Sequence, residues 1–178
     1  MHIGVDAWSI TQEAKAGIPT YLSNLLKALA EVDSENRYTL YVKEVPKDVT
    51  IENDNFKIEI LPFWPSKFPP YWRHTQLPVK LLSERPDVFL SSSTLPMYYC
   101  LSKRVLLVYD VTPWLFPHLS SRGLIDRTVR NISKKVTPHA IMHAEAIIAI
   151  SHSTKRDLVN LFKSDPQKIF VVHGGWDN

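Results

Sequence analysis

The sequence predicts an α/β domain built on a mostly parallel sheet with helices covering both faces. Three observations carry that prediction. Seven short runs rich in Val, Ile and Leu recur along the 178 residues. Most of them are nearly continuous in apolar residues rather than alternating, as strands buried on both faces require. The longer stretches between them show apolar residues at helical spacing, and strand-helix alternation belongs to parallel sheets joined by crossover helices.

The first strand is HIGVDAW at 2–8. After it, Ile18, Leu22, Leu25, Leu29 and Val32 recur at steps of four, three, four and three, an apolar stripe on one helix face. YTLYVK at 38–43 is a second buried strand, and FKIEIL at 56–61 a third, whose alternation places it at a sheet edge. LPFWPSKFPPYW at 61–72 reads as one ordered loop or a small projecting motif, because patterned sequence resumes directly after it. A helix follows over 74–84 and ends before Pro86. DVFLS at 87–91 and RVLLVY at 104–109 are further strands. Ile125, Val129, Ile132 and Val136 mark a helix over 120–136. AIIAI at 146–150 precedes a helix that opens around Ser153 and carries Leu158, Leu161 and Phe162, and KIFVV at 168–172 is the last strand.

Composition narrows the functional classes. With 44% hydrophobic and 22% charged residues the chain suits one folded globular domain. Cys100 is the single cysteine, so no internal disulfide forms and an oxidising compartment is not implied. A formal charge of +3 and a pI near 8.9 are too mild to argue for nucleic acid as a partner. The N-terminus lacks the pattern of a signal peptide, and no apolar run approaches the roughly 20 residues that cross a bilayer. The expected location is cytoplasmic.

In parallel sheets, ligands gather outside the carboxyl ends of strands where the strand order reverses. That rule selects the loops 9–18, 91–98, 109–118 and 151–153, with the tail at 173–178. In AGIPTY, Gly17 permits dihedrals closed to other residues, and Pro19 suits a first helical turn, where its missing N–H has no helical partner. This is either a helix start and nothing more, or an N-terminus whose free N–H groups receive a phosphate or carboxylate. Tyr109 and Asp110 end a buried strand, and Asp110 either faces a cleft or caps the turn through Thr112 and Pro113. Ser151 or Ser153 caps the last helix, and a hydroxyl there could also reach a substrate.

Other constellations carry less. His139 and His143 stand four apart, a spacing two metal ligands could share, but the Glu of HExxH is absent and no third ligand is evident. No GxSxG surrounds any serine, Cys100 has no nucleophile motif, and no acid pair for hydrolysis stands out. Arg127, Arg130 and Lys134 form either a solvated face or, with Trp64, Phe68, Tyr71 and Trp72, a surface for an anionic membrane.

Taken in order, AGIPTYLSNLLKAL, YWRHTQLPVKLLSERPDVFLSSSTLP, VYDVTPWLFP, AEAIIAISHSTKRDLVNLF and DPQKIFVVHGGWDN resemble the N-terminal half of a GT-B glycosyltransferase of family 4, the retaining group that uses nucleotide sugars. The resemblance runs from the first strand to the last residue. It implies that residues 1–173 form a Rossmann-like acceptor domain, one half of the GT-B fold, and that 174–178 begin the linker to a C-terminal donor-binding domain not contained in this chain. That absent domain holds the nucleotide-sugar in the family, so this fragment is expected to be inactive alone and its missing C-terminal domain to be its partner.

By the same resemblance the function is sugar transfer from a nucleotide-sugar to a saccharide or lipid-linked acceptor, in surface polysaccharide or glycolipid synthesis. No cofactor and no metal are implied, the nucleotide-sugar being a co-substrate. Gly17, Ile18, Thr20, Tyr21, Tyr109, Asp110 and Ser151 are the substrate-binding candidates, with Tyr109 and Asp110 the catalytic ones. Two departures stand out. Many relatives have a second glycine and an arginine where this chain has Pro19 and Thr20, and many have His where it has Tyr109. A phenol, with an unperturbed pKa of about 10, donates a hydrogen bond but is a poor base. The alternatives are a non-catalytic ligand-binding or membrane-docking module, peripheral at the inner membrane surface, and a different GT-B enzyme such as a sugar-nucleotide epimerase.

Overall fold

Seven strands form one sheet: β1 (His2–Asp6), β2 (Arg37–Val42), β3 (Phe56–Ile60), β4 (Val88–Ser91), β5 (Lys103–Val108), β6 (Ala146–Ala149) and β7 (Ile169–Val171). They stand in the order β3-β2-β1-β4-β5-β6-β7, and every neighbouring pair is parallel. The computed structural model describes residues 1–11, 17–46, 51, 53–61, 71–93, 95–116 and 124–175. Its helices are α1 (Gly17–Val32), α2 (Leu77–Glu84), the single turn α3 (Thr112–Leu115), α4 (Leu124–Met142) and α5 (His152–Phe162). The Rossmann-like α/β class read from the sequence is the one observed, and FKIEI is indeed an edge strand with partly exposed residues.

Successive strand residues point to opposite faces, and the core divides accordingly. Val5, Leu40, Leu90 and Leu107 face α1, where they meet Leu22 and Leu26. Their neighbours Tyr41 and Phe89 face the other way, toward Leu77 and Leu81 of α2. On that second face Leu106, Ile147 and Ala149 meet Ala140 and Ile141 of α4 and Leu158 of α5. Helices thus cover both faces. Gly4 makes this packing possible on the α2 side: a Cβ there would come within 3.0 Å of the Tyr41 ring and 3.1 Å of Pro86.

Several helical details differ from the sequence reading. The centre of the α1 face is Leu22 with Leu26, both fully buried, while Val32 in the last turn is 80% exposed because nothing covers it. The 74–84 helix begins earlier, with a π-helical turn over Trp72–Gln76 that runs into α2. The helix expected to stop at 136 continues through Pro138 to Met142. Pro138 forfeits one helical hydrogen bond, but burial of Val136, Ala140 and Ile141 holds the backbone helical. In α5, Leu158 is buried and Leu161 is exposed.

A candidate functional site at the carboxyl ends of the strands

The chain leaves β1 toward β2 and β3, then crosses back to lay β4 on the other side of β1, so the strand order reverses between β1 and β4. Asp6 ends β1 there at 1% exposure. Its Oδ2 accepts from Arg73 Nε at 2.7 Å, and its Oδ1 from the Trp8 N–H at 3.3 Å. The Arg73 guanidinium lies against the Trp8 and Trp72 rings, 5.4 and 5.8 Å from their centroids. The two indoles meet edge to face at 5.1 Å. The π turn closes its hydrogen bonds five residues apart rather than four and so takes more residues per turn than an α-helix, and in it the consecutive residues Trp72 and Arg73 are both buried. From across the reversal point, Ser92 Oγ donates to the Asp6 carbonyl.

Sequence reasoning missed Asp6, Arg73 and Ser92. The only signal for them was a charged residue interrupting an apolar strand and an arginine beside a tryptophan. The same cluster corrects the membrane reading of Trp72, which is 0% exposed and donates Nε1–H to the Leu61 carbonyl at 3.1 Å. Trp64 and Phe68 lie outside the described residues.

Tyr109, just past β5, packs edge to face with Tyr21 of α1 at 5.7 Å. The Tyr21 hydroxyl in turn donates to the Val172 carbonyl at 3.0 Å, joining α1 to the end of β7. Tyr109 is 6% exposed, and no hydrogen bond closes on its buried hydroxyl. Burial above all, then the Asp6 charge and Tyr21, push its phenol well above the ordinary tyrosine range, with Ser92 pulling weakly the other way. At neutral pH the group is a proton-bearing donor rather than a base. Ser9 and Ser91 also carry buried hydroxyls with no partner, so the turn after β1 and the end of β4 contribute unspent hydrogen-bonding groups around the reversal point.

Asp110 caps its turn. Its Oδ1 accepts from the Thr112 N–H at 2.8 Å, which starts α3, while the residue stays exposed. Ser151 is the α5 cap: its Oγ accepts from the Thr154 N–H at 3.1 Å and contacts the Thr154 hydroxyl at 3.0 Å. Thr154 then donates to the Tyr109 carbonyl at 3.1 Å. The loops after β5 and β6 are therefore stitched together, and Ser151 is half-buried within that stitch.

Gly17, Thr20 and Tyr21 wall a cleft of about 600 Å³ with Asn24, His173 and Gly174. Ile18 instead turns its side chain onto the core. Gly17 does not use the freedom expected of it, since no described glycine has positive φ. It is the first residue of α1, and a Cβ there would meet nothing within 4 Å. The described first turn, residues 17–20, carries no acid, and Pro19 brings no N–H to it, so the positive end of the helix dipole favours negative charge beside Gly17 and Ile18. A smaller cavity of about 140 Å³ lies between the end of β5 and α4, walled by Tyr109, Asp110, Val111, Trp114, Thr137 and Ile141. His173, on the wall of the 600 Å³ cleft, has its ring 5.5 Å from that of His152.

The remaining candidates lie elsewhere. His139 and His143 stack face to face at 4.1 Å, so their lone pairs do not converge on one metal ion. Among the described residues, no group of three or more potential ligands gathers. Burial pushes the Cys100 thiol up, against the opposing pull of Arg104, which leaves it neutral.

A model of the family described as Glycosyltransferase Family 4 matches residues 16–178. The chain belongs to Glycosyltransferase Family 4. Comparison with the curated proteins found no match. Among solved structures, the chain is similar to a UDP-GlcNAc 2-epimerase from Methanocaldococcus jannaschii, at 13% identity and TM-score 0.53, over 97% of this chain and 45% of that one. It is similar to HepE of Anabaena, solved with UDP and glucose, at 14% identity and TM-score 0.53, over 99% and 45%. It is similar to the lipopolysaccharide outer core galactosyltransferase WaaB, at 13% identity and TM-score 0.51, over 97% and 45%. At these identities the likeness is one of fold, and this Glycosyltransferase Family 4 chain spans less than half the length of each neighbour. Among the described residues, no helix is long and apolar enough to cross a membrane.

Proposed function

We propose that this chain is the acceptor-binding half of a retaining glycosyltransferase, which moves a sugar from a nucleotide-sugar onto a saccharide or lipid-linked acceptor. The observation that carries this reading is the family match over residues 16–178, falling on a chain with Gly17, Thr20 and Tyr21 on one cavity and Tyr109 and Asp110 on a second, linked by the Tyr21–Tyr109 ring contact. The activity requires a donor-binding domain beyond this sequence, and the chain alone is inactive. No metal enters the reaction, and the product belongs to a surface polysaccharide or glycolipid.

Each residue has a task its surroundings suit. The Gly17 and Ile18 N–H groups, at the positive end of α1, stabilise negative charge on the leaving phosphate. The Tyr109 hydroxyl, held protonated by burial and the Asp6 charge, donates to a substrate oxygen and does not remove a proton. Asp110 keeps its exposed carboxylate in place through Thr112, where it accepts from an acceptor hydroxyl. Tyr21 and Ser151 hold these groups in register through Val172 and Thr154.

The test is transfer by the protein extended through its second domain, on a panel of nucleotide-sugars, with the product anomer read by NMR. Retention of the donor configuration and no turnover by the 178-residue chain are the expected results. An extended protein that neither binds nor hydrolyses any donor overturns the proposal. Epimerisation of UDP-GlcNAc without acceptor favours the epimerase reading instead.

A further inference from the structure

At the amino-terminal end of β5, Arg104 is 5% exposed. Its Nη2 donates to the Tyr98 carbonyl at 3.2 Å, while Nη1 is buried with no acceptor. None of the ion pairs among the described residues includes it. A guanidinium cannot shed its proton, so Arg104 is a buried cation with neither a counter-ion nor a full set of hydrogen bonds. That is a costly arrangement for the protein alone.

A second unpaired group stands beside it. The His139 ring is stacked between Tyr98 at 4.0 Å and His143 at 4.1 Å, and its Nδ1 is buried without a partner. His143 is turned away, its own Nδ1 contacting the His139 carbonyl at 2.8 Å. Arg104 and His139 both pack against Tyr98, one on its carbonyl and the other on its ring, and burial, then His143 and Arg104, lower the His139 pKa against the opposing Tyr98 backbone. Arg104, His139, His143, Lys103 and Tyr99 border a cavity of about 430 Å³, with Tyr99 75% exposed. Glu145 is also on that wall, but its side chain is exposed and only its backbone N–H bonds Arg104, at the carbonyl.

We propose that this cavity is a binding site for an oxyanion, a phosphate or carboxylate group received by Arg104 Nη1 and His139 Nδ1–H. One anion supplies both missing acceptors and the missing counter-charge, which neither water nor a metal cation does. β5 is six residues long and rises roughly 3.3 Å per residue, which sets Arg104 about 17–20 Å along the strand from Tyr109 and Asp110. The occupant therefore takes no part in sugar transfer and braces β5 against the C-terminal end of α4.

The test compares thermal unfolding of the protein in sodium chloride, sodium phosphate and sodium malonate at equal ionic strength and pH 7, with the His139 ring followed by NMR. Phosphate, malonate or both should raise the midpoint saturably, with the His139 resonance moving on the same curve. A response to phosphate alone assigns a phosphate-bearing ligand, and one to malonate alone a carboxylate. Arg104→Gln should weaken binding by about tenfold or more, the scale of a lost charge-assisted hydrogen bond. His139→Phe keeps the stack and removes the donor, so it should weaken binding even where Arg104→Gln fails to fold. The absence of a saturable response to either anion overturns the proposal, as does a response that survives His139→Phe undiminished.

Discussion

Replacing Arg73 with Met removes the partner of a carboxylate that has almost no access to water. Asp6 is 1% exposed and would keep only one N–H contact, from Trp8 at 3.3 Å. Breaking a buried pair from one side costs about 3–5 kcal/mol, a large part of the 5–15 kcal/mol typical of a domain's stability. The reverse change, Asp6→Asn, leaves the guanidinium against Trp8 and Trp72 at 5.4 and 5.8 Å. Desolvated cation–π contacts contribute about 2 kcal/mol, so Asp6→Asn should be the milder change. The double variant Asp6→Leu with Arg73→Met removes both charges and should recover most of the loss. Urea unfolding at pH 7 reads all three, and with a slope of about 2 kcal/mol/M the Arg73→Met midpoint should fall by roughly 1.5–2.5 M. An Arg73→Met cost below about 1 kcal/mol, or one smaller than that of Asp6→Asn, would refute the account of this pair.

Three further outcomes are expected. Tyr109→Phe removes a hydroxyl that makes no hydrogen bond in the protein, so the urea midpoint should hold or rise slightly while transfer by the two-domain protein drops. Ser151→Ala deletes the α5 cap and should cost about 1 kcal/mol in the same unfolding experiment. Acid should destabilise the fold: burial, then Arg73, lower the His74 pKa, and burial, then Arg37, lower that of His2. A histidine with a depressed folded pKa contributes fully above its unfolded value of about 6.5 and less as pH falls below it. Midpoints should therefore decline from pH 7 to 5, and His74→Gln should flatten that decline.

Much of the fold was legible because strand identity is a local property. Runs such as YTLYV and VLLV are too short and too continuously apolar to be amphipathic helices, and each became a strand of the sheet. The alternation of FKIEI announced an exposed edge for the same reason. Helix limits were less legible. Pro138 argues locally for a stop, yet Ala140 and Ile141 pack against Ile147 and Leu158 and carry the helix past it. Tyr21, Tyr109, Asp110 and Ser151 could be singled out as candidates because each sits next to a strand or helix terminus that sequence pattern marks. Asp6 and Arg73 could not, being 67 residues apart and meeting only through the fold.

The sequence by itself determined an alternating parallel α/β domain, since periodicity and turn chemistry are written within a few neighbouring residues, and its ordered motifs carried the resemblance to the family. The tertiary structure alone decided which polar groups go unpaired. Whether the Tyr109 hydroxyl, Arg104 Nη1 and His139 Nδ1 find partners depends on the crossing of chains far apart in sequence. Burial then turns such a group from an ordinary side chain into one that calls for a ligand.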